Sequence, residues 1–313
     1  MCVYSIIVPA YNEEQSLRLF YDAVIPAFEK TGEPFEVIFV NDGSIDNTWQ
    51  IIKDLARADS RIKGCRFSRN FGQQSAILCG MEKSVGQAVI VMDADLQDPP
   101  EVALEMIEKW KEGYEIVHGK RKKRDGESLF KRATAKLFYR FTRKITGLDI
   151  PQNVGDFKLY DRKAVDALLS MPERDRLLRV QTAWIGFSQT FVEFDRPKRI
   201  AGETHYTLKK MVKLAKAGVF PNTNFTLTLP LKMGVLLGIA SVSCFITFAI
   251  LCCCGIFFGG LTAWLFPTLG ILTSLVLASQ GLSNVHTHMI YREVQNRPRY
   301  IVAEEENFKE ETC

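Results

Sequence analysis

The chain has 313 residues, 47% of them hydrophobic and 24% charged, with 40 basic and 36 acidic side chains. This composition excludes a wholly disordered or collagen-like chain, and a net charge of +4 is too small to indicate nucleic acid as a partner. Distribution is more informative: residues 233–291 contain no Asp, Glu, Lys or Arg, whereas the preceding sequence is richly charged.

Residues 3–8 are a short β-prone run ending at Pro9, followed by a polar turn and a predicted helix over 13–30. A second strand over 35–40 ends in Asn41-Asp42-Gly43-Ser44, and a helix over 46–58 follows. Next come a strand over 62–67, a helix over 73–83 and a buried strand over 88–92. Residues 127–146 read as a basic helical connection, with later strands over 154–160 and 187–194. Repeated β-to-α alternation predicts an α/β domain, a mostly parallel sheet with helices on both faces. Active residues then gather beyond the carboxyl ends of the strands. Neither a GxGxxG fingerprint nor a P-loop is present.

Two apolar blocks, 231–258 and 261–282, each exceed the roughly 20 helical residues needed to cross a bilayer. Gly259-Gly260 separates them, so the pattern predicts an antiparallel transmembrane hairpin. Lys209, Lys210, Lys213, Lys216 and Lys232 precede or enter it, and Arg292, Arg297 and Arg299 follow it. That bracketing places both ends, and both termini, in the cytoplasm. The lysine-rich stretch 207–219 reads either as an amphipathic helix in the headgroup region or as a solvated helix covering the core. The expected organisation is an α/β domain over 1–206, a juxtamembrane segment over 207–229, two membrane helices over 230–288 and a tail over 289–313. No signal peptide is expected, because residues 1–9 lack a basic leader and a long apolar core. The eight cysteines show no zinc or redox spacing.

Asp93-Ala94-Asp95-Leu96-Gln97-Asp98 directly follows a predicted strand. Closely spaced oxygen ligands there suit Mg2+ or Mn2+, which neutralises phosphates and stabilises a departing diphosphate. Asp95 and Gln97 are candidates for direct ligands, and Asp93 divides its role between metal and nucleotide. For this motif alone, a solvated acidic turn is the plain alternative. Asp42 also ends a strand, and residues 9–13, with Pro9, Tyr11 and Glu13, end the first one. Three adjacent strand ends can converge on one nucleotide, with Tyr11 bordering the base and Asp42 accepting a hydrogen bond from it. Simple turn chemistry also suits these Pro, Asn and Gly residues.

The ordered set comprises Ile6-Ile7-Val8-Pro9-Ala10-Tyr11-Asn12-Glu13-Glu14, Asn41-Asp42-Gly43-Ser44 and Asp93 through Pro100. It continues with Gly155-Asp156-Phe157-Lys158-Leu159, Trp184-Ile185-Gly186-Phe187 and Arg297-Pro298-Arg299-Tyr300. With these motifs the chain resembles, nearly end to end, family 2 GT-A-fold polyprenyl-phosphate glycosyltransferases, especially the bactoprenol glucosyltransferase branch.

The resemblance implies a GT-A nucleotide-sugar-binding domain with a mostly parallel mixed sheet, and inverting transfer of glucose from UDP-glucose to polyprenyl phosphate, with the donor in the strand-end cleft. It implies that Asp156 lies near sugar and acceptor, orienting them or acting as base. Arg121, Arg132 and Arg199 resemble phosphate-managing positions of dolichyl-phosphate mannose synthases, and Lys120 is a further candidate for the donor diphosphate. One departure stands out. Where the family commonly has Ser-Lys-Tyr, this chain has Thr204-His205-Tyr206, which removes a constant positive charge.

The implied setting is the bacterial cytoplasmic membrane, with a lipid bilayer, a homo-oligomer, and a downstream flippase and glycan-modifying transferase as partners. Alternatives are another donor (GDP-mannose, UDP-N-acetylglucosamine or a modified arabinose) or a non-catalytic membrane scaffold.

Overall fold

Local pattern and observed elements agree closely over the first part of the chain. Strands β1 (Tyr4–Ala10), β2 (Phe35–Asn41), β3 (Ile62–Phe67) and β4 (Ala88–Val91) alternate with helices α1 (Leu17–Glu29), α2 (Thr48–Ala58) and α3 (Gln73–Lys83). The computed structural model describes residues 2–122, 151, 154–173, 177–195, 246, 250, 254 and 261–308. They fall into two units, one of Met1–Ala217 with Pro298–Cys313 and one of Gly218–Arg297.

In the first unit, α4 (Pro100–Lys111), β5 (Ile116–Arg121), β6 (Val154–Asp161), α5 (Arg162–Ser170), α6 (Leu178–Trp184) and β7 (Gln189–Phe194) follow. The eight strands lie in the order β7-β5-β6-β4-β1-β2-β3-β8, where β8 is Val302–Glu306. Neighbours β4, β1, β2 and β3 are parallel, and so are β5 and β7. Strand β6 runs antiparallel to both β4 and β5, and β8 runs antiparallel to β3. This is the expected mixed, mostly parallel sheet.

Side-chain alternation sends the two sets of each strand into different cores. Tyr4, Ile6 and Val8 of β1, Phe35, Val37 and Phe39 of β2, and Phe157 and Leu159 of β6 pack with α1, α2 and α4. Ile7, Val89, Val91, Ile116 and Tyr160 pack on the other face with α3, α5 and α6. Each such buried side chain contributes about 1.5–3 kcal/mol of hydrophobic stabilisation. Helix α3 comes close to β1 because Gly80 has no side chain: a Cβ there would stand 2.3 Å from Cγ2 of Ile7.

Five elements, α4, β5, α5, α6 and β8, lie outside the sequence expectation, and they differ in how visible their signals are. Helix α4 opens with Pro99 as its N-cap and Pro100 in its first turn, and buries Val102, Ala103, Met106 and Ile107. That start signal is legible. Strand β8, by contrast, reads Val-Ala-Glu-Glu-Glu and exists because the exposed edge of β3 needs a partner. Glu304 accepts a hydrogen bond from Nε1 of Trp49 at 2.9 Å, Lys83 pairs with Glu305 at 2.7 Å, and Tyr300 stacks on Phe67 at 4.8 Å.

The predicted helix over 127–146 lies outside the described residues. In the second unit, α7 (Leu261–Val294) is a helix of 34 residues that includes the second apolar block. The first block lies outside the described residues apart from Ile246, Ile250 and Cys254. Taken over the described residues, no helix is long and apolar enough to cross a membrane.

Candidate active site

Strands β1, β2 and β4 run in one direction and β6 in the other, so the ends of the first three and the start of β6 share one sheet edge. There the loops are joined by hydrogen bonds. After β1, Asn12 adopts φ +57° and donates from its backbone N–H to Oγ of Ser44 at 2.9 Å. Its side-chain oxygen accepts from Ile45 N–H at 3.1 Å. Glu13 N–H donates to Oγ1 of Thr48 at 2.8 Å, and its carboxylate accepts from the Ser16 hydroxyl. Pro9 sits within β1 opposite Val40, and Tyr11 stands at the rim, 40% exposed.

Asp42 is buried, and its two carboxylate oxygens accept from the N–H groups of Phe71 at 2.7 Å and Gly72 at 2.9 Å. Burial pushes its carboxyl above the usual range, against the pull of those two N–H groups and of Arg69. Asp42 therefore holds the turn between β3 and α3, a role the sequence reading did not assign. Gly43 permits this approach. Its φ is +67°, and a Cβ would lie 2.4 Å from the Arg69 carbonyl carbon.

The acidic loop after β4 closes on itself. Asp93 N–H donates to Oδ2 of Asp98 at 3.0 Å, and Gln97 N–H donates to Oδ1 of Asp95 at 3.1 Å. Leu96 between them takes φ +57°, an uncommon conformation for a leucine and one that clusters at functional sites. Asp98, only 1% exposed, is the staple of this loop. Gln73, opening α3, donates from Nε2 to Oδ1 of Asp93 at 2.9 Å.

Among the described residues, no group of three or more His, Cys, Asp and Glu side chains converges on a metal position. The donor set of Asp93, Asp95 and Gln97 nevertheless fits a hard cation. It offers carboxylate and amide oxygens within one turn, a chemistry suited to Mg2+ or Mn2+.

Asp156 lies near the start of β6, its side chain 13% exposed. Its Oδ1 accepts from Nε of Arg179 at 3.1 Å and its Oδ2 from Nε2 of Gln74 at 3.2 Å. The Arg121 guanidinium lies beside the adjoining Gly155, where a Cβ would meet Nη2 at 3.4 Å. Lys120 instead pairs with Glu193 of the edge strand β7 at 2.7 Å. Arg132, Arg199, Thr204 and His205 lie outside the described residues.

Sequence reasoning missed Gln74, Arg179, Lys158 and His118. Lys158 carried a signal: in β6 it falls on the same face as Asp156 and Tyr160, where alternation calls for an apolar residue. It is 1% exposed, and burial pushes its pKa down to about 8, with Arg179 adding and Asp156 opposing. His118 lies opposite Lys158 on β5 and, through burial and that charge, has its pKa pushed down to about 3. Nε2 of Gln189 donates to the Thr182 carbonyl, so its amide oxygen faces Nε2 of His118 at 2.8 Å and the imidazole Nε2–H donates. Gln74 and Arg179 carried no local signal, because sheet order brings them to Asp156.

Loops gathered at the carboxyl edge of a mixed, mostly parallel sheet stand where open α/β proteins bind their ligands. Residues 5–169 match the model described as glycosyl transferase family 2, and the chain belongs to that family and is a glycosyltransferase.

It is 43% identical over 302 residues to the uncharacterized glycosyltransferase YkcC of Bacillus subtilis (strain 168), covering 96% of this chain and 93% of that one. It is 36% identical over 304 residues to the prophage bactoprenol glucosyl transferase homolog of Escherichia coli (strain K12), covering 95% and 97%. A solved mycobacterial protein structure matches with a TM-score of 0.50 at 18% identity, covering 70% of this chain and 72% of that one, and supports the fold alone.

Proposed function

We propose that this glycosyltransferase moves glucose from UDP-glucose to the phosphate of a membrane polyprenyl phosphate, with inversion at the anomeric carbon. The observation that carries the reading is the hydrogen-bonded line of loops from Asn12 through Asp42 and Asp93 to Asp156 along one sheet edge. Relatives named bactoprenol glucosyl transferase match over nearly their whole length, which supports glucose as the sugar and a polyprenyl phosphate as the acceptor.

In this reading the acceptor phosphate oxygen attacks the anomeric carbon. A new C–O bond forms as the bond to the UDP β-phosphate oxygen breaks, and the diphosphate leaves with the bonding pair. A phosphate monoester is largely ionised near neutral pH, so no strong base is required. The 9–14 and 41–48 loops seat the nucleoside, with Asp42 holding the 69–72 turn in place beside it. Asp93, Asp95 and Gln97 would hold Mg2+ or Mn2+, which offsets the diphosphate charge. Asp156 orients sugar and acceptor, and Arg121 with Arg132 and Arg199 attracts phosphate, a task suited to the planar guanidinium.

The reading includes a bacterial cytoplasmic-membrane anchor formed by 230–288, with the catalytic domain and both termini cytoplasmic. Three features support it. Residues 233–291 are free of charged side chains. On α7, Leu265, Leu269, Leu272 and Val276 form an exposed apolar stripe. Finally, β8 pairs with β3, so the chain after the apolar stretch returns to the catalytic unit and any membrane crossings are even in number. Two helices meet that condition.

The test is a donor panel with the full chain in detergent, undecaprenyl phosphate, and Mg2+ or Mn2+, read by mass spectrometry of the lipid. A hexose adduct from UDP-glucose, absent with UDP-galactose and GDP-mannose, is expected. Product from GDP-mannose, UDP-N-acetylglucosamine or a modified arabinose donor alone overturns the glucose assignment. No lipid product from any donor overturns the acceptor.

A further inference from the structure

The column Asp156, Lys158, Tyr160 on β6 faces α3 and α6, and its environment becomes drier along the strand. Tyr160 belongs to the apolar core with Ile77, Leu78 and Leu178, and its hydroxyl meets Oγ1 of Thr182 at 3.2 Å. Lys158 is a buried cation beside that core, and Asp156, its side chain 13% exposed, is at the strand end nearest the site loops.

Two side chains from different helices grip the Asp156 carboxylate, one on each oxygen. Gln74 donates to Oδ2 at 3.2 Å, while its own Oε1 accepts from Leu178 N–H at 3.1 Å. The next residue after Leu178 is Arg179, whose Nε donates to Oδ1 at 3.1 Å. The Gln74 amide thereby ties α3 to the start of α6 and to β6 at once. A surface aspartate in a turn has no need of such a cage, and a buried ammonium beside an apolar core is costly to keep for stability alone.

We propose that Gln74, Arg179 and Lys158 are positioning residues of the transfer reaction, acting through Asp156. Gln74 and Arg179 fix the plane of its carboxylate, and the Lys158 charge lies behind it on the same strand face. The carboxylate then meets the bound sugar and acceptor in one orientation, without rotating at the moment of transfer. Alignment of this kind acts on the chemical step rather than on donor binding.

This inference rests on the reading that Asp156 works at the reaction centre, so Asp156→Asn is measured beside the others. Full-length Gln74→Leu, Arg179→Met, Arg179→Lys and Lys158→Met are compared in detergent for kcat, donor KM, UDP affinity by calorimetry and melting temperature. Expected are losses in kcat of about 10-fold or more for Gln74→Leu and Arg179→Met, measured on the folded fraction, with UDP affinity within error of the parent; the stranded Leu178 N–H lowers the melting temperature of Gln74→Leu modestly. Arg179→Lys recovers part of the loss, since it restores charge without the fixed donor geometry. Lys158→Met loses kcat while melting no lower than the parent.

Added to Asp156→Asn, the Gln74 and Arg179 substitutions should cost less than about 3-fold more, because groups acting as a unit are non-additive. Parent-level turnover by Asp156→Asn overturns the role of Asp156 itself. An impaired Asp156→Asn beside fully active Gln74→Leu and Arg179→Met overturns only the present inference. Losses that multiply in the double variants, that appear as weaker UDP binding, or that vanish once turnover is normalised to the folded fraction, overturn it as well.

Discussion

Gly43→Ala separates two costs that the structure places at one atom. Gly43 and Gly32 have nearly equal backbone angles, φ +67° and +71°, but differ in surroundings. At Gly32 nothing lies within 4 Å of an added Cβ, whereas at Gly43 the Cβ would meet Arg69 C at 2.4 Å, Asn70 N at 2.6 Å and Arg69 Cα at 2.8 Å. Gly32→Ala therefore carries only the left-handed backbone penalty, about 1 kcal/mol. Gly43→Ala carries that penalty plus overpacking against backbone that has no flexible end to yield, about 1–3 kcal/mol more.

At about 2–4 °C per kcal/mol for a domain of this size, Gly32→Ala should lower the melting temperature by about 2–4 °C and Gly43→Ala by roughly 4–16 °C. The larger effect is functional. Pushing 42–44 away from 69–72 breaks the bonds from Phe71 and Gly72 to Asp42, so UDP affinity should fall for Gly43→Ala and stay unchanged for Gly32→Ala. Thermal melts and UDP calorimetry on the detergent-solubilised chain supply both readings. Equal melting temperatures for the two variants, with UDP binding intact in both, would refute the reasoning.

At the opposite edge, buried Glu36 accepts from Ser5 Oγ at 2.6 Å and Val85 N–H at 2.9 Å, and pairs with Lys63 at 2.6 Å. Glu36→Ala strands all three and should cost about 3–5 kcal/mol in urea denaturation, leaving kcat of the remaining folded enzyme unchanged; a cost under about 1 kcal/mol counts against the network. Lys158 has its pKa lowered by burial from 10.5 to about 8. Below pH 8 both folded and unfolded chains hold this proton, and the folded state bears the buried charge. Between about pH 8 and 10.5 only the unfolded chain holds it, so stability relative to Lys158→Met should rise by about 3 kcal/mol across that window, and a flat difference would contradict the burial. Tyr300→Ala removes the ring stacked on Phe67 and should cost about 2–4 kcal/mol by loosening β8, with UDP affinity as in the parent; an unshifted melt would argue that β8 is not held by this contact.

What the sequence determined alone is local. Strand β3 and helix α3 match expectation to the residue, and β1, β2, β4 and β6 match within a residue or two. An alternating apolar run, a turn residue and a helical face are each legible within about ten residues. The same locality revealed the strand-end motifs around Tyr11, Asp42, Asp93 and Asp95, because each follows its own strand directly. Asp156 was found through its surrounding motif.

Tertiary structure decided what lies across from what. Strand β6 runs between β4 and β5, so Asp156 faces Gln74 and Arg179, residues 82 and 23 positions away. Residues Val302–Glu306, a polar stretch by composition, form a strand because the edge of β3 leaves unpaired backbone groups that β8 satisfies. Alternation in β6 marks Lys158 as out of place, but its burial is decided by the helices packed over that face. Backbone periodicity is set by neighbours in the chain, whereas hydrogen-bond partners and burial are set by sheet order, and sheet order exists only once distant segments have met.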